Sequence, residues 1–218
     1  GLVASCHVNG PGTGIGDDVG GLVGLSDADG TIRSCYTTGR VAGSSSYIGG
    51  LVGSNAGLIT DCHASGTSDC TSGYNRIGGL VGQNTGTIMM CHAIGAVQSF
   101  HASIFSGNGT GGLVGSNSQG TIMKSFATGD VGASSERVGG LVGSNYYGPI
   151  TDCFATGDVT GADDTVGGLV GFNQASIIAT CYSRGSVTGK GFLGGLVGRG
   201  DPNRSEERRV GKECRSRW

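Results

Sequence analysis

A Gly-Gly pair followed by Leu-Val-Gly starts at Gly20, Gly49, Gly78, Gly111, Gly139, Gly167 and Gly194, at spacings of 29, 29, 33, 28, 28 and 27 residues. A catalytic loop is needed once in a chain, whereas a structural joint is needed once per repeat. Self-similarity at this period is the mark of a solenoid, in which each unit buries its apolar face only against its neighbours.

The rest of each unit repeats too. Aligned on one position, the units read Cys6, Cys35, Cys62, Cys91, Ser125, Cys153, Cys181. Three residues earlier stand Val3 and then six isoleucines, Ile32 to Ile178; four residues later stands a glycine in every unit, Gly10 to Gly185. β-Branched residues fixed at one place in a repeat point to stacked strands. Beyond the Cys the period is two, so Cys35, Thr37, Gly39 and Val41 share an inner face while Ser34, Tyr36, Thr38 and Arg40 point outward. The Ile has the wrong parity to join that inner set in one straight strand, which requires a bulge or corner before the Cys. Leu and Val after the glycine pair have opposite parities, and both can be buried only if the chain bends there.

The glycine pair is expected to supply backbone angles that other residues avoid and to allow close approach of neighbouring coils. The column Asn55, Asn84, Asn117, Asn145, Asn173 fits a turn with stacked amides, Asn being tolerant of left-handed angles. Each repeat then forms one coil of three strands and a variable loop. The expected fold is an all-β parallel solenoid of about seven coils, right-handed by the usual preference of parallel crossovers.

Composition agrees. Of 218 residues 47 are Gly and only 3 are Pro; the glycine period is far too long for collagen, and glycine throughout argues against long helices. No apolar run approaches the roughly 20 residues that span a bilayer. The chain starts in mid-repeat, GLVASCHVNG at Gly1 matching GLITDCHASG at Gly57, and is read as a fragment of a longer protein.

The end differs. Residues 204–218, RSEERRVGKECRSRW, lack the repeat and resemble the translation of a sequencing-library adapter, so they are set apart from the domain as a non-native, disordered tail. They hold six of the fourteen Lys and Arg and three of the sixteen Asp and Glu. Residues 1–203 therefore keep eight cations against thirteen anions, a net charge of −5 rather than −2. This leaves no basic footprint for nucleic acid.

The pattern GGLVGxN, then GxI, then CxATGxV resembles the GLUG repeat across nearly all of residues 1–203, with a partial coil at 1–19 and units starting at 20, 49, 78, 111, 139, 167 and 194. Departures are modest: Ser26 replaces the Asn, and Gly12 and Ser68 replace the late Val. GLUG repeats occur in large bacterial surface and secreted proteins, including adhesin-like chains and regions beside immunoglobulin-cleaving peptidases. The resemblance implies an extracellular location and a repeat-module role, and by itself no activity.

Candidate chemistry is thin. Eight cysteines invite a disulfide framework, but stacked side chains on strands about 4.8 Å apart point the same way, and the column reads as buried free thiols acting as small hydrophobes. Cys70 and Cys214 lie off it. His7, His63 and His92 each follow a column Cys, yet adjacent strand residues face opposite sides and cannot share a metal ion. Asp17–Asp18 and Asp163–Asp164 read as solvated turn acids, and the RGD at Arg199–Asp201 as a chance match to an integrin-binding tripeptide. No metal or other cofactor is expected.

One column stands out as a ligand-facing aromatic stripe: His7, Tyr36, His63, His92, Phe126, Phe154, Tyr182. Exposed on a flat sheet, it could stack on sugar rings or dock a partner. The longer unit, with its surplus in Gln98–Thr110, is a second binding candidate. Charged residues are scattered singly, with no carboxylate pair, H-E-x-x-H or G-x-S-x-G evident, and the Asn9/Thr38/Ser65/Ile94 column is too irregular for ice binding. The expectation is a non-catalytic stalk or adhesin-like segment facing a glycan or a host or cell-surface protein, with end-to-end self-association through its open strand edges. The alternative is a β-helix region, accessory or catalytic, of a secreted enzyme degrading polysaccharide or protein.

Overall fold

The computed structural model describes residues 1–44, 46–70, 76–99, 109–134, 136–162 and 165–201. All regular structure there is β. The first coil runs β1 (Leu2–Ala4), β2 (His7–Val8), β3 (Gly12–Gly14), β4 (Asp18–Gly20) and β5 (Val23–Ser26), and the same five strands recur in every later coil. Each strand pairs in parallel with its equivalents above and below, giving five parallel sheets of seven strands each. The register is that of the repeat: Val3 pairs with Ile32, Ile32 with Ile59, Ile59 with Ile88, and so on to Ile178. The all-β parallel solenoid expected from the spacing is therefore the fold, with rungs rising about 4.8 Å each.

Five strands per coil rather than three follow from two features. The first is a sharp corner. Ser5, Ser34, Asp61, Met90, Lys124, Asp152 and Thr180, one residue before the Cys column, all have φ between 49° and 55°. A left-handed residue costs a non-glycine roughly 1–2 kcal/mol, yet every rung adopts it. This corner lets Ile32 and Cys35, three apart, both point inward at 2% and 1% exposure, and it divides one expected strand into those of the β1 and β2 sheets. The second feature is the residues before the glycine pair, such as Tyr47–Gly49, which form the β4 sheet.

The glycine pair works by proximity, not by unusual dihedrals: none of its members has a left-handed φ. A Cβ on Gly49 would lie 1.9 Å from the Val52 carbonyl oxygen, and one on Gly50 would lie 2.1 Å from that of Gly79. Only a residue without a side chain fits between coils packed so closely. Leu51 and Val52 are both fully buried, so the bend required by their opposite parities is present.

Two apolar cores run along the axis. The larger, between the β1, β2 and β5 sheets, stacks the Ile, Cys, Leu, Val and Ala columns. The smaller, between the β3 and β4 sheets, holds Val41, Ile48, Ile77, Val97, Val138 and their equivalents. The glycine pair separates them, anchored in the second rung by Thr37 Oγ1 donating to the Gly50 carbonyl at 2.8 Å.

The Asn column forms the expected amide ladder. Nδ2 of Asn55, Asn84, Asn117 and Asn145 donates to Oδ1 of the next Asn at 2.8, 2.8, 2.8 and 2.7 Å. The left-handed residues here are not these asparagines but Gln119, Tyr147 and Ala175. They occur in the units with one extra residue after the Asn, and absorb it: the second Nδ2 hydrogen bond goes to Gly57 and Gly86 in the shorter units and one residue further on, to Gly120 and Gly148, in the longer ones.

The Cys column is buried from Cys35 onward, while Cys6 on the first rung is exposed, and Cys6, Cys35, Cys62, Cys91, Cys153 and Cys181 are free. These thiols do more than fill space. Each Sγ–H donates to the carbonyl two residues back, as from Cys35 to Arg33 at 3.1 Å. Cys35 Sγ, Cys62 Sγ and Cys181 Sγ also accept the backbone N–H of Cys6, Cys35 and Cys153 at 3.4 Å. Ser125 makes the same pair, donating to Met123 at 2.8 Å and accepting from Cys91 N at 3.1 Å. The column thus closes hydrogen bonds that the left-handed corner interrupts, which is why a hydroxyl can stand in for a thiol. Cys214 and the rest of 204–218, Asp163–Asp164 and most of the Gln98–Thr110 surplus lie outside the described residues.

Candidate ligand-facing ladders

The two-residue strands of the β2 sheet present His7, Tyr36, His63, His92, Phe126, Phe154 and Tyr182 outward, while their neighbours Thr37, Ala64, Ala93, Ala127 and Ala155 are buried. The in-register pairing His63 with His92 and Phe126 with Phe154 superposes the rings. Successive centroids are 4.9, 5.0, 4.9, 4.8, 4.7 and 5.1 Å apart with interplanar angles of 3–6°. The stripe is therefore one continuous stack.

That stacking decides what it can offer. In Tyr36 through Phe154 both ring faces are covered by neighbouring rings, so edges, not faces, meet solvent. Sugar stacking needs a free face; edge contact and, at Tyr36 and Tyr182, the phenol hydroxyl remain. Around His92 the edge is apolar, flanked by exposed Met90 and Ile94. Burial, and then the charge of neighbouring His63, hold the His92 imidazole below its ordinary pKa.

In the Cys column beneath, burial raises the Cys35 thiol. Hydrogen bonding to the Cys62 sulfur, then burial, pushes that of Cys91 far up. Hydrogen bonding to Cys91 and Cys153 lowers the Cys62 and Cys181 thiols in turn, and burial is what shields these sulfurs from reagents. Among the described residues no three His, Cys, Asp or Glu side chains are grouped to hold a metal ion, and no helix is long and apolar enough to cross a membrane.

A second outward arrangement escaped the reading of charges as singly scattered over turns. On the adjoining β4 and β5 sheets, Arg76, Arg137 and Arg199 lie on strands of rungs three, five and seven. Each guanidinium lies over an aromatic ring: Arg76 5.2 Å from Tyr47, Arg137 4.3 Å from Phe172 and 5.7 Å from Tyr146, Arg199 5.3 Å from Phe192. Arg76 also donates to Tyr47 Oη at 3.3 Å and to Gln83 Oε1, and Arg137 to Tyr146 Oη. Of the RGD tripeptide, only this placement of Arg199 bears on a surface. Apart from Tyr146, these arginines and rings come from two columns, one two before each glycine pair (Asp18, Tyr47, Arg76, Gly109, Arg137, Thr165, Phe192) and one five after its first glycine (Leu25, Ser54, Gln83, Ser116, Ser144, Phe172, Arg199), and each varies too much to stand out until the strands are stacked.

No curated protein and no solved structure matches the chain significantly. The model of the GLUG motif, in contrast, matches six times, at residues 16–42, 44–68, 73–98, 106–132, 134–160 and 164–188. These segments span most of the chain, each one turn long and running from a strand of the β4 sheet through the strand of the β3 sheet on the next rung, and the protein belongs to the GLUG-motif family.

Proposed function

We propose that this chain is a non-catalytic extracellular repeat module, a stalk or adhesin-like segment of a larger bacterial surface or secreted protein. What supports the reading is the unbroken vertical register of five sheets over seven rungs. Each rung spends its inward positions on Ile, Leu, Val, Ala and Cys, and its outward ones on side chains repeated along an axis. Such an object spaces and presents; its surfaces grow by the rung. A glycan or a cell-surface protein is the ligand class that an extended, repetitive face suits, and the stacked aromatic edge is one such face. Expressed alone, copies of this chain should also associate end to end through open strand edges, giving a sedimentation coefficient that rises with concentration.

The test is to produce the full reading frame in its own cells and treat intact cells with a membrane-impermeant biotin reagent. Labelling of GLUG-containing peptides at the surface, or their recovery from the medium, is expected; confinement to the cytoplasm would end this reading. Incubation of the purified chain with polysaccharide and protein substrates should release no new reducing ends or amino termini.

A further inference from the structure

We infer that the face formed by the β4 and β5 sheets binds a sparsely charged acidic polysaccharide, an extended glycan carrying carboxylate or sulfate groups at intervals. The inference extends the ligand-presenting half of the proposed function to a different face and a definite ligand chemistry; its failure leaves the stalk role standing.

The first ground is charge. The chain is acidic overall, with a net charge of −2, yet from the second rung to the seventh the strands of these two sheets contain three arginines and no Asp or Glu. Their only carboxylate is Asp18 on the first rung; Glu136 borders the face beside Arg137, and Asp201 follows Arg199 by two residues just beyond the last strand. Among the described residues the one ion pair is Arg40 with Asp69, elsewhere on the coil. Arg76, Arg137 and Arg199 thus carry their charge without a carboxylate partner from the described residues.

The second ground is preorganisation. A long surface arginine ordinarily samples many rotamers, and binding must freeze them. Here each guanidinium already rests on a ring, and two are fixed further by hydrogen bonds from Nη1. Much of the planar fork remains for a bidentate anion. Beside them the exposed Phe192 and the half-buried Phe172, each with a guanidinium over one face, leave ring edges for apolar contact with the C–H groups of a sugar.

The third ground is density. The arginines stem from alternate rungs, so their backbones lie roughly 10 Å apart along the axis. A nucleic acid strand carries a charge about every 3.4 Å and gains affinity by releasing many counterions, with six to ten phosphate contacts typical of tight binders. Three cations on an otherwise acidic solenoid cannot supply that. An acidic glycan with one anion per two sugars has a far sparser charge and an extended backbone that can follow the axis.

The experiment measures binding of the full chain to hyaluronan oligosaccharides, with dextran as the neutral control and single-stranded oligothymidylate as the nucleic acid control, by thermophoresis at several salt concentrations. Hyaluronan should bind, more weakly as salt rises, and dextran should not. The combined Arg76→Gln, Arg137→Gln, Arg199→Gln variant should lose about tenfold or more in affinity. Arg33→Gln, an exposed arginine on the β1 sheet, should change nothing. Circular dichroism checks the fold, and if the combined variant is unfolded the three single variants decide. No binding of hyaluronan, undiminished binding by the triple variant or by all three single ones, or oligothymidylate binding as tightly as hyaluronan would each overturn the assignment.

Discussion

Asn84 donates a hydrogen bond to Asn117 at 2.8 Å although 33 residues separate them, the same bond that joins Asn55 to Asn84 across 29. The four extra residues of the longest repeat leave the ladder undisturbed. Asn117 is fully buried, receives one amide bond and gives two. Asn117→Ala would take from Asn84 Nδ2 one of its two hydrogen bonds and from Asn145 Oδ1 its amide donor, both in the interior. It should cost about 3 kcal/mol or more, each orphaned buried group costing roughly 1–3, as measured by denaturant unfolding. Asn117→Asp should be no better, since an ionised carboxylate cannot donate to Asn145 or Gly120.

The corner bonds make Ser125 a sensitive position. Ser125→Ala leaves the buried N–H of Cys91 without its acceptor and should destabilise the chain by about 1–3 kcal/mol. Ser125→Cys, which restores the rule of the column, should cost clearly less. A thermal melt of the two variants beside the parent compares them directly.

Thiol chemistry should separate the rungs. Cys6 is exposed, whereas Cys35, Cys62, Cys91, Cys153 and Cys181 are buried; Cys35, Cys91 and Cys153 are raised above the ordinary thiol pKa, while hydrogen bonds lower Cys62 and Cys181, which burial alone protects. Brief treatment with iodoacetamide at pH 8, followed by peptide mapping, should modify Cys6 and leave those five untouched until denaturant is added. Early labelling of Cys91 would mean that the column opens in the native state.

The His92 imidazole, held below its ordinary pKa of about 6.5, links stability to pH. The unfolded chain takes up that proton first, so the contribution is complete above about pH 6.5 and is lost as the pH falls below it. The melting temperature should therefore drop between pH 7 and 5.5 by more in the parent than in His92→Phe, which places in the stack the ring that Phe126 already carries on the next rung. Equal slopes would show that the ring titrates freely.

Much of this was legible in the sequence because the repeats act as an internal alignment. The Ile, Cys, Gly and Asn columns revealed the coil, the inward parity from Cys35 to Val41 and the need for a break between Ile32 and Cys35. What stayed hidden was how the break is made. Ser34, Asp61, Met90 and Lys124 share a backbone angle and nothing in side-chain chemistry, so no residue preference marks that corner. Left-handed angles were assigned to the glycine pair and the Asn column because those residues tolerate them, whereas both serve another need: close approach in one case, amide pairing in the other. The aromatic column was visible as outward, but its rings proved to cover one another. The Arg and ring contacts lie between residues of differing columns and sheets, Arg137 with Phe172 for instance, and periodicity within a column cannot display them.

The vertical register has a bearing on how such a chain changes over generations. Because Val52 stacks on Val81 and Val81 on Val114, a deletion or duplication that removes or adds one complete turn lets the flanking rungs rejoin with every ladder intact. Rod length is therefore open to adjustment by recombination between near-identical stretches of gene, while the faces exposed on each turn remain free to diverge.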